Sequence, residues 1–316
     1  MDVSMKDKRP LRDRIIAVRN YPGERWRRRT VRNVLVVAGE TRRTVADGFA
    51  AVNERFSEIL ERIEVSEVQH AELLIRQGIA FGRELPSLGA GESSPSGHLE
   101  QYFDAHIAGP GIFKWRHYFP IYERHLGKLR GRSANLVEIG VFSGGSLHMW
   151  REYLGPSSQV TGIDIEPACK AYEADGISVA IGDQGDPAFW ASFLAEAAPI
   201  DAVIDDGSHD PADQITTLKA LLPRLEPGGV YICEDVHGPD NEFARFIDGF
   251  TRNLDTTEPR EWPDGSLSSD TTACQRSIAS VHRYPFVTVI ERTQSPVASF
   301  EAPRHGTEWL YDKRAD

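Results

Sequence analysis

The chain has 316 residues, 40% hydrophobic and 26% charged, with a formal net charge of −11. That length suits one large α/β domain plus an accessory segment. No apolar run approaches the roughly 18–20 residues of a membrane span, and the start lacks an apolar signal core, so no membrane contact and a cytoplasmic location are expected. Three scattered cysteines (Cys169, Cys233 and Cys274) fit a reducing compartment, with Cys233 read as packing inside an apolar strand. The charge is uneven. Residues 1–43 hold 13 Lys/Arg against 5 Asp/Glu, densest at Arg25-Trp26-Arg27-Arg28-Arg29. With one aromatic interleaved and no nucleic-acid motif nearby, this basic arm is expected to dock on the acidic body of its own protein or of a sister subunit, not on nucleic acid.

From Thr41 to about Glu84 the pattern is helical. Val45, Phe49, Val52, Phe56, Ile59 and Ile63 alternate spacings of four and three, a heptad seam that predicts self-association. Residues 1–85 are thus a basic arm and a heptad-bearing helical segment, and the chain is expected to be a homo-oligomer. Residues 86–98, rich in Pro, Ser and Gly, form a linker, and 99–316 a second domain. That domain opens on Gly109–Phe119, aromatic and basic, and continues as a helix through Leu129. Strands are predicted near 135–140, 159–165, 177–183, 200–205 and 229–234, with helices between them. Residues 252–276 read as a long polar loop, a length often found in lids. Ile278–Arg283 and Phe286–Arg292 then form a hairpin around Tyr284-Pro285. The fold class expected is α/β, a Rossmann-like seven-stranded sheet of the methyltransferase type with an antiparallel final hairpin, preceded by a helical N-terminal segment.

Motifs fall where strands end, the ligand-facing edge of such a sheet. Leu136-Val137-Glu138-Ile139-Gly140 runs into Val141-Phe142-Ser143-Gly144-Gly145-Ser146, a spacing of G-x-x-x-G-G instead of the G-x-G-x-x-G that seats a pyrophosphate. Glycines at 140, 144 and 145 let the backbone pass close to a ligand, and Glu138 suits a cationic amino-acid moiety. Asp164, in Gly162-Ile163-Asp164-Ile165-Glu166, is placed to accept from both ribose hydroxyls. Asp183 and Gln184, in Ile181-Gly182-Asp183-Gln184, can meet an adenine amino group. The ligand implied is S-adenosylmethionine, not NAD. Its expected contacts are Glu138, Gly140, Ser143, Gly144, Ser146, Asp164, Asp183, Gln184 and Asp205. Strand alternation sends Asp205 to the opposite face from Asp206, so its part is to support the loop from behind.

The other half of the site rests on Ile204-Asp205-Asp206-Gly207-Ser208-His209 and Cys233-Glu234-Asp235-Val236-His237. Carboxylates crowded at two strand ends repel one another unless protons or a hard cation compensate. Asp206, Glu234 and Asp235 are hard oxygen ligands suited to Mg²⁺, with positions left for two substrate hydroxyls. His209 is the candidate base, with His237 its rival. Lys114–Tyr118 is either an aromatic lid over the cofactor or core packing.

Together, E-I-G-V-F-S-G-G-S, G-I-D-I-E-P, I-G-D-Q, I-D-D-G-S-H and P-G-G-V-Y-I-C-E-D-V-H resemble the metal-dependent macrolide-sugar O-methyltransferases of the mycinamicin and tylosin type, a family that shades into the cephalosporin hydroxylase-like group. The resemblance covers roughly Lys114 to Arg292 and leaves residues 1–100 outside. It implies Mg²⁺ held by Asp206, Glu234 and Asp235, catalysis by His209 and Asp206, and O-methylation of a hydroxyl on a sugar or glycosylated metabolite. Two other readings are an oxygenase-linked role, disfavoured because no 2-His-1-carboxylate spacing stands out, and a non-catalytic nucleoside-binding scaffold.

Overall fold

The structure, a computed structural model, describes residues 55, 69–70, 72–87, 97–306 and 308. The chain divides into two compact units, Met1–Gly91 and Glu92–Asp316. In the first, residues 72–84 are helical, and Leu73, Leu74, Ile75, Ile79 and Phe81 are all exposed. The basic arm lies outside the described residues, as do the heptad positions from Val45 to Ile63 and most of the expected linker. Among the described residues, no helix is long and apolar enough to cross a membrane.

The second unit is built on seven strands: β1 (Asn135–Ile139), β2 (Gln159–Asp164), β3 (Ile177–Ile181), β4 (Ile200–Asp205), β5 (Leu225–Cys233), β8 (Ile278–Tyr284) and β9 (Val287–Arg292). Their order is β3-β2-β1-β4-β5-β9-β8. The first five are parallel, whereas β9 pairs antiparallel with β5 and with β8. The expected hairpin thus closes the main sheet. The expectation of a structureless loop over 252–276 is corrected. That stretch holds β6 (Arg260–Glu261), β7 (Leu267–Asp270) and a short helix, and β10 (Ser299–Ala302) completes a separate three-stranded sheet in the order β10-β7-β6. β6 and β7 pair with each other within the stretch, and β7 also pairs with the distant β10, which local periodicity does not reveal.

Both faces of the main sheet are covered, so its parallel strands are nearly continuous apolar runs. One face carries α1 (His98–Ala105), α2 (Phe119–Leu126) and α3 (Gly145–Leu154), which bury Leu99, Tyr122 and Trp150 against Leu136, Ile204 and Ile232. The other carries α4 (Pro187–Glu196), α5 (Pro211–Leu221) and α6 (Glu242–Thr251), which bury Trp190, Leu218 and Phe243 against Val137, Val203 and Tyr231. The start signals are local. Asp186 and Asp210 each accept from the backbone N–H two residues on, ahead of a proline at the first helical turn. The α3 helix lacks such a side-chain cap and starts from Gly144 in the left-handed region. Its first N–H, that of Gly145, is met by the Gly111 carbonyl at 3.1 Å.

Candidate active site

A cavity of about 1280 Å³ lies beyond the C-terminal ends of β1 to β5, walled by the segments that follow each strand and roofed by residues from 111 to 117. Strand register brings these ends together: Ile139 is level with Asp205 and Ile163, and Asp205 with Cys233. The acids that follow therefore converge. The volume exceeds what one drug-sized ligand ordinarily occupies, so the space admits a cofactor and an acceptor side by side.

In the nucleotide half, Gly140, Ser146, Asp164, Asp183 and Gln184 line the cavity. Asp164 Oδ2 accepts from the backbone N–H groups of Val141 and Phe142 at 2.8 and 3.1 Å, and Oδ1 from that of Glu166 at 2.9 Å. An ionised carboxylate has about four acceptor positions, so about one remains. Asp164 shapes the glycine loop first and has little capacity left for two ribose hydroxyls. Exposed Glu166 lines the same wall. Asp183 is exposed, with one oxygen taking the Gly185 N–H at 2.8 Å. Gln184 is a buried brace as well as a wall. Its amide donates to Asp205 and Thr217, each at 3.1 Å, and its carbonyl accepts from the Ser208 N–H at 2.6 Å.

Four expected cofactor contacts are not on the cavity wall: Glu138, Ser143, Gly144 and Asp205. Glu138 is fully buried under α3, where Ser146 Oγ donates to it at 2.7 Å. Asp205 is buried on the opposite face, accepting from the Tyr231 hydroxyl at 2.7 Å. Alternation along each strand sends both side chains into the protein. Burial pushes the Asp205 carboxyl up to about 7, against the pull of its Tyr231 and Gln184 donors. The glycines also differ from expectation, since their bare Cα atoms admit neighbouring chain and not only ligand. A Cβ at Gly140 would strike the Asp206 carbonyl, one at Gly144 the Tyr172 ring, and one at Gly145 the carbonyls of Pro110 and Gly111.

In the acceptor half, one oxygen of Asp206, one of Asp235 and a ring nitrogen of His209 lie within 4.8 Å of one another. His209 Nε2 stands 3.6 Å from Asp235 Oδ2 and 3.9 Å from Asp206 Oδ1, beyond hydrogen-bonding range of either, and so stays open to a hydroxyl. His237 is exposed outside the main cavity, against the Phe286 ring and in a shallower acidic recess. Asp235 is held by Tyr118 Oη at 2.7 Å and Trp115 Nε1 at 3.0 Å. The described non-glycine residues with positive φ are Phe142, His209, Asp235 and Phe286. The first three line the cavity, and Phe286 packs on Trp115, which also lines it. Uncommon backbone gathered this way is typical of a functional site.

Glu234 faces inward. Its carboxylate accepts from Tyr122 Oη at 2.6 Å and from Lys114 Nζ at 3.1 and 3.2 Å. The same ammonium, 2% exposed, lies 2.6 Å from Asp206 Oδ2 and 3.3 Å from Glu138 Oε1. Burial opposes the charge on Lys114, but the three acids outweigh it and hold its pKa well above the ordinary value. Burial and the nearby Asp206 push Glu234 up, while Lys114 and Tyr122 oppose. The donor set fits a hard divalent ion: Asp206 and Asp235 face the cavity with free carboxylate oxygens, the one-or-two-carboxylate arrangement Mg²⁺ ordinarily uses, and Glu234 stands behind them.

Sequence reasoning missed Lys114 as the centre of this cage and Tyr122 as its prop. It also missed Tyr118, which holds Asp235, and Tyr231 and Thr217, which hold Asp205 and Gln184. The one legible signal was a lysine inside an aromatic run, Phe113-Lys114-Trp115. That segment is neither wholly lid nor wholly core, since Phe113, Trp115 and His117 face the cavity while Tyr118 is buried.

Comparison with known proteins bears on this arrangement. The family model for a methyltransferase domain matches residues 137–236. Over 200 residues the chain is 33% identical to an 8-demethyl-8-alpha-L-rhamnosyl tetracenomycin-C 2'-O-methyltransferase of Streptomyces olivaceus, covering 58% of this chain and 52% of that one. It is 32% identical over 204 residues to the mycinamicin VI 2''-O-methyltransferase of Micromonospora griseorubida, covering 57% and 49%. The solved MycE methyltransferase in complex with Mg, SAH and mycinamycin VI superposes with a TM-score of 0.50 at 27% identity, over 62% of this chain and 52% of that one. The chain spans about half the length of the curated relatives it matches. These likenesses agree with the resemblance read from the motifs.

Proposed function

We propose that this protein is an S-adenosylmethionine- and Mg²⁺-dependent O-methyltransferase acting on a hydroxyl of a sugar or glycosylated small molecule. The observation that carries the reading is one cavity bordered by a nucleoside wall at Asp164–Glu166 and Asp183 and by an acidic, histidine-bearing wall at Asp206, His209 and Asp235. The relatives' names supply the acceptor class. When bound, S-adenosylmethionine supplies a methyl group on sulfonium, and Mg²⁺ acts as a Lewis acid that makes an alkyl hydroxyl more acidic.

The chain's own residues do the rest. Asp164 fixes the loop that faces the nucleoside, and Asp183 offers an acceptor to the adenine amino group. Asp206 and Asp235, with Glu234 behind them, would hold the ion. Nε2 of His209 takes the proton of the acceptor hydroxyl as its oxygen becomes the nucleophile. Trp115 and Tyr118 keep Asp235 in place, so the acceptor and the base meet in one orientation.

The test is turnover of S-adenosylmethionine against a panel of rhamnosylated and deoxyglycosylated acceptors, with and without EDTA. Methyl transfer to a sugar hydroxyl that stops on chelation and returns with Mg²⁺ is expected. Full activity after exhaustive chelation would remove the metal. Failure to bind S-adenosylhomocysteine in calorimetry would remove the methyl-transfer reading altogether.

A further inference from the structure

We propose that Lys114 is a built-in counter-cation of the metal site, a positioning residue that holds Asp206 and Glu234 in place before an ion arrives and weakens the grip of the acids on that ion. The inference rests on the metal reading above and goes beyond it. Glu138 and Glu234 are almost wholly buried near the C-terminal ends of β1 and β5, and Asp206, at the end of the intervening β4, lines the cavity beside Glu234. Three carboxylates so placed would repel one another and turn apart if nothing positive lay among them. The Lys114 ammonium contacts all three. The ammonium's three N–H donors are directed at Asp206 Oδ2 and the two oxygens of Glu234, with Glu138 Oε1 a further charge partner at 3.3 Å, so no donor is left for a ligand.

The two oxygens of Asp206 are divided. Oδ2 takes the ammonium at 2.6 Å, whereas Oδ1 faces His209 on the side of Asp235. A divalent ion bound on that partly exposed side shares Asp206 with a fixed positive charge that is itself buried, and so screened less than a charge in bulk water. Lys114 therefore costs the ion affinity while keeping its ligands assembled. The consequence is an ion held loosely by the protein alone and firmly once acceptor hydroxyls complete its shell.

The experiment is titration of the full chain with Mn²⁺, without cofactor or acceptor, followed by calorimetry and by the electron paramagnetic resonance of the free ion. Lys114→Met should tighten Mn²⁺ binding at least tenfold, and Lys114→Arg, which keeps the charge, should stay within a few-fold of the parent. The charge-balanced Lys114→Met/Glu138→Gln variant relieves the uncompensated buried acid and should also bind more tightly than the parent. A merely structural lysine would not tighten binding when removed. Binding by Lys114→Met with none by the parent sustains the proposal in its strongest form. Unchanged or weaker affinity in both Met variants, beside a parent that binds, overturns the proposal and leaves the metal reading standing. Absence of binding in every protein overturns both. Failure of the charge-balanced variant to fold assigns Lys114 to stability and overturns the proposal.

Discussion

His209 and His237 follow the two acidic motifs at similar distances, yet they address different spaces. His209 lines the main cavity with Nε2 unengaged, and His237 lies outside it against Phe286. His209→Ala should therefore lower kcat by about 10²–10⁴, the usual worth of a positioned base, with little change in cofactor affinity. His237→Ala should keep most of the rate. Steady-state kinetics on both variants checks this, and exchanged behaviours would make His237 the base. Asp205 carries a prediction about stability. Its carboxyl sits at about 7 in the folded protein, against about 3.9 when unfolded. Between those values the native state binds more protons than the unfolded one, so stability falls as pH rises through the window. Asp205→Asn removes that titration. Its stability relative to the parent should grow from pH 4 to pH 7 by at most about 4 kcal/mol, at 1.36 kcal/mol per pKa unit. Urea denaturation at several pH values reads it, and parallel curves for the two proteins would reject it.

At the scale of elements, the β1-to-α3 turn works by close approach. Gly140 has φ of 90°, and the space a Cβ would fill is occupied by the Asp206 carbonyl at the end of β4. Gly140→Ala therefore meets both backbone strain and overpacking, each costing about 1–3 kcal/mol. It should lose about 2–5 kcal/mol of stability and weaken cofactor binding together, read by thermal unfolding and calorimetry. A stable variant with parent affinity would show that the turn relaxes. The Gly109–Trp115 segment uses the same device from the other side, since Gly145 N–H donates to the Gly111 carbonyl at 3.1 Å. Through Lys114 and Trp115 this strap reaches the acids of β4 and β5, so a stretch remote in sequence becomes one wall of the site.

At the scale of the whole molecule, the heptad seam from Val45 to Ile63 motivates the last prediction. Deleting residues 1–85 should change the oligomer mass more than the fold of the remaining unit, because the seam would bury its apolar stripe against a partner helix. Light scattering measures the mass and circular dichroism the fold. A truncated protein with the parent's oligomer mass would show that the seam packs internally.

The five parallel strands, the closing hairpin and the acids at the strand ends were legible in the sequence. Apolar runs bounded by Gly, Asp and Pro are local signals, and the resemblance tied them to one chemistry. Asp164, Asp183, Asp206, His209 and Asp235 all line the one cavity. Strand alternation already sent Asp205 to the face opposite Asp206. What only the tertiary structure decided was that Glu138 is buried away from the ligand space and what meets each acid there. Glu138 and Asp205 turn inward by strand alternation, and the partners that hold them, Ser146 and Lys114 for one, Tyr231 and Gln184 for the other, come from other elements. The three-stranded sheet of β6, β7 and β10 was hidden for the same reason. A buried charge is settled by long-range neighbours, and no local pattern of residues encodes the ammonium that three distant acids share.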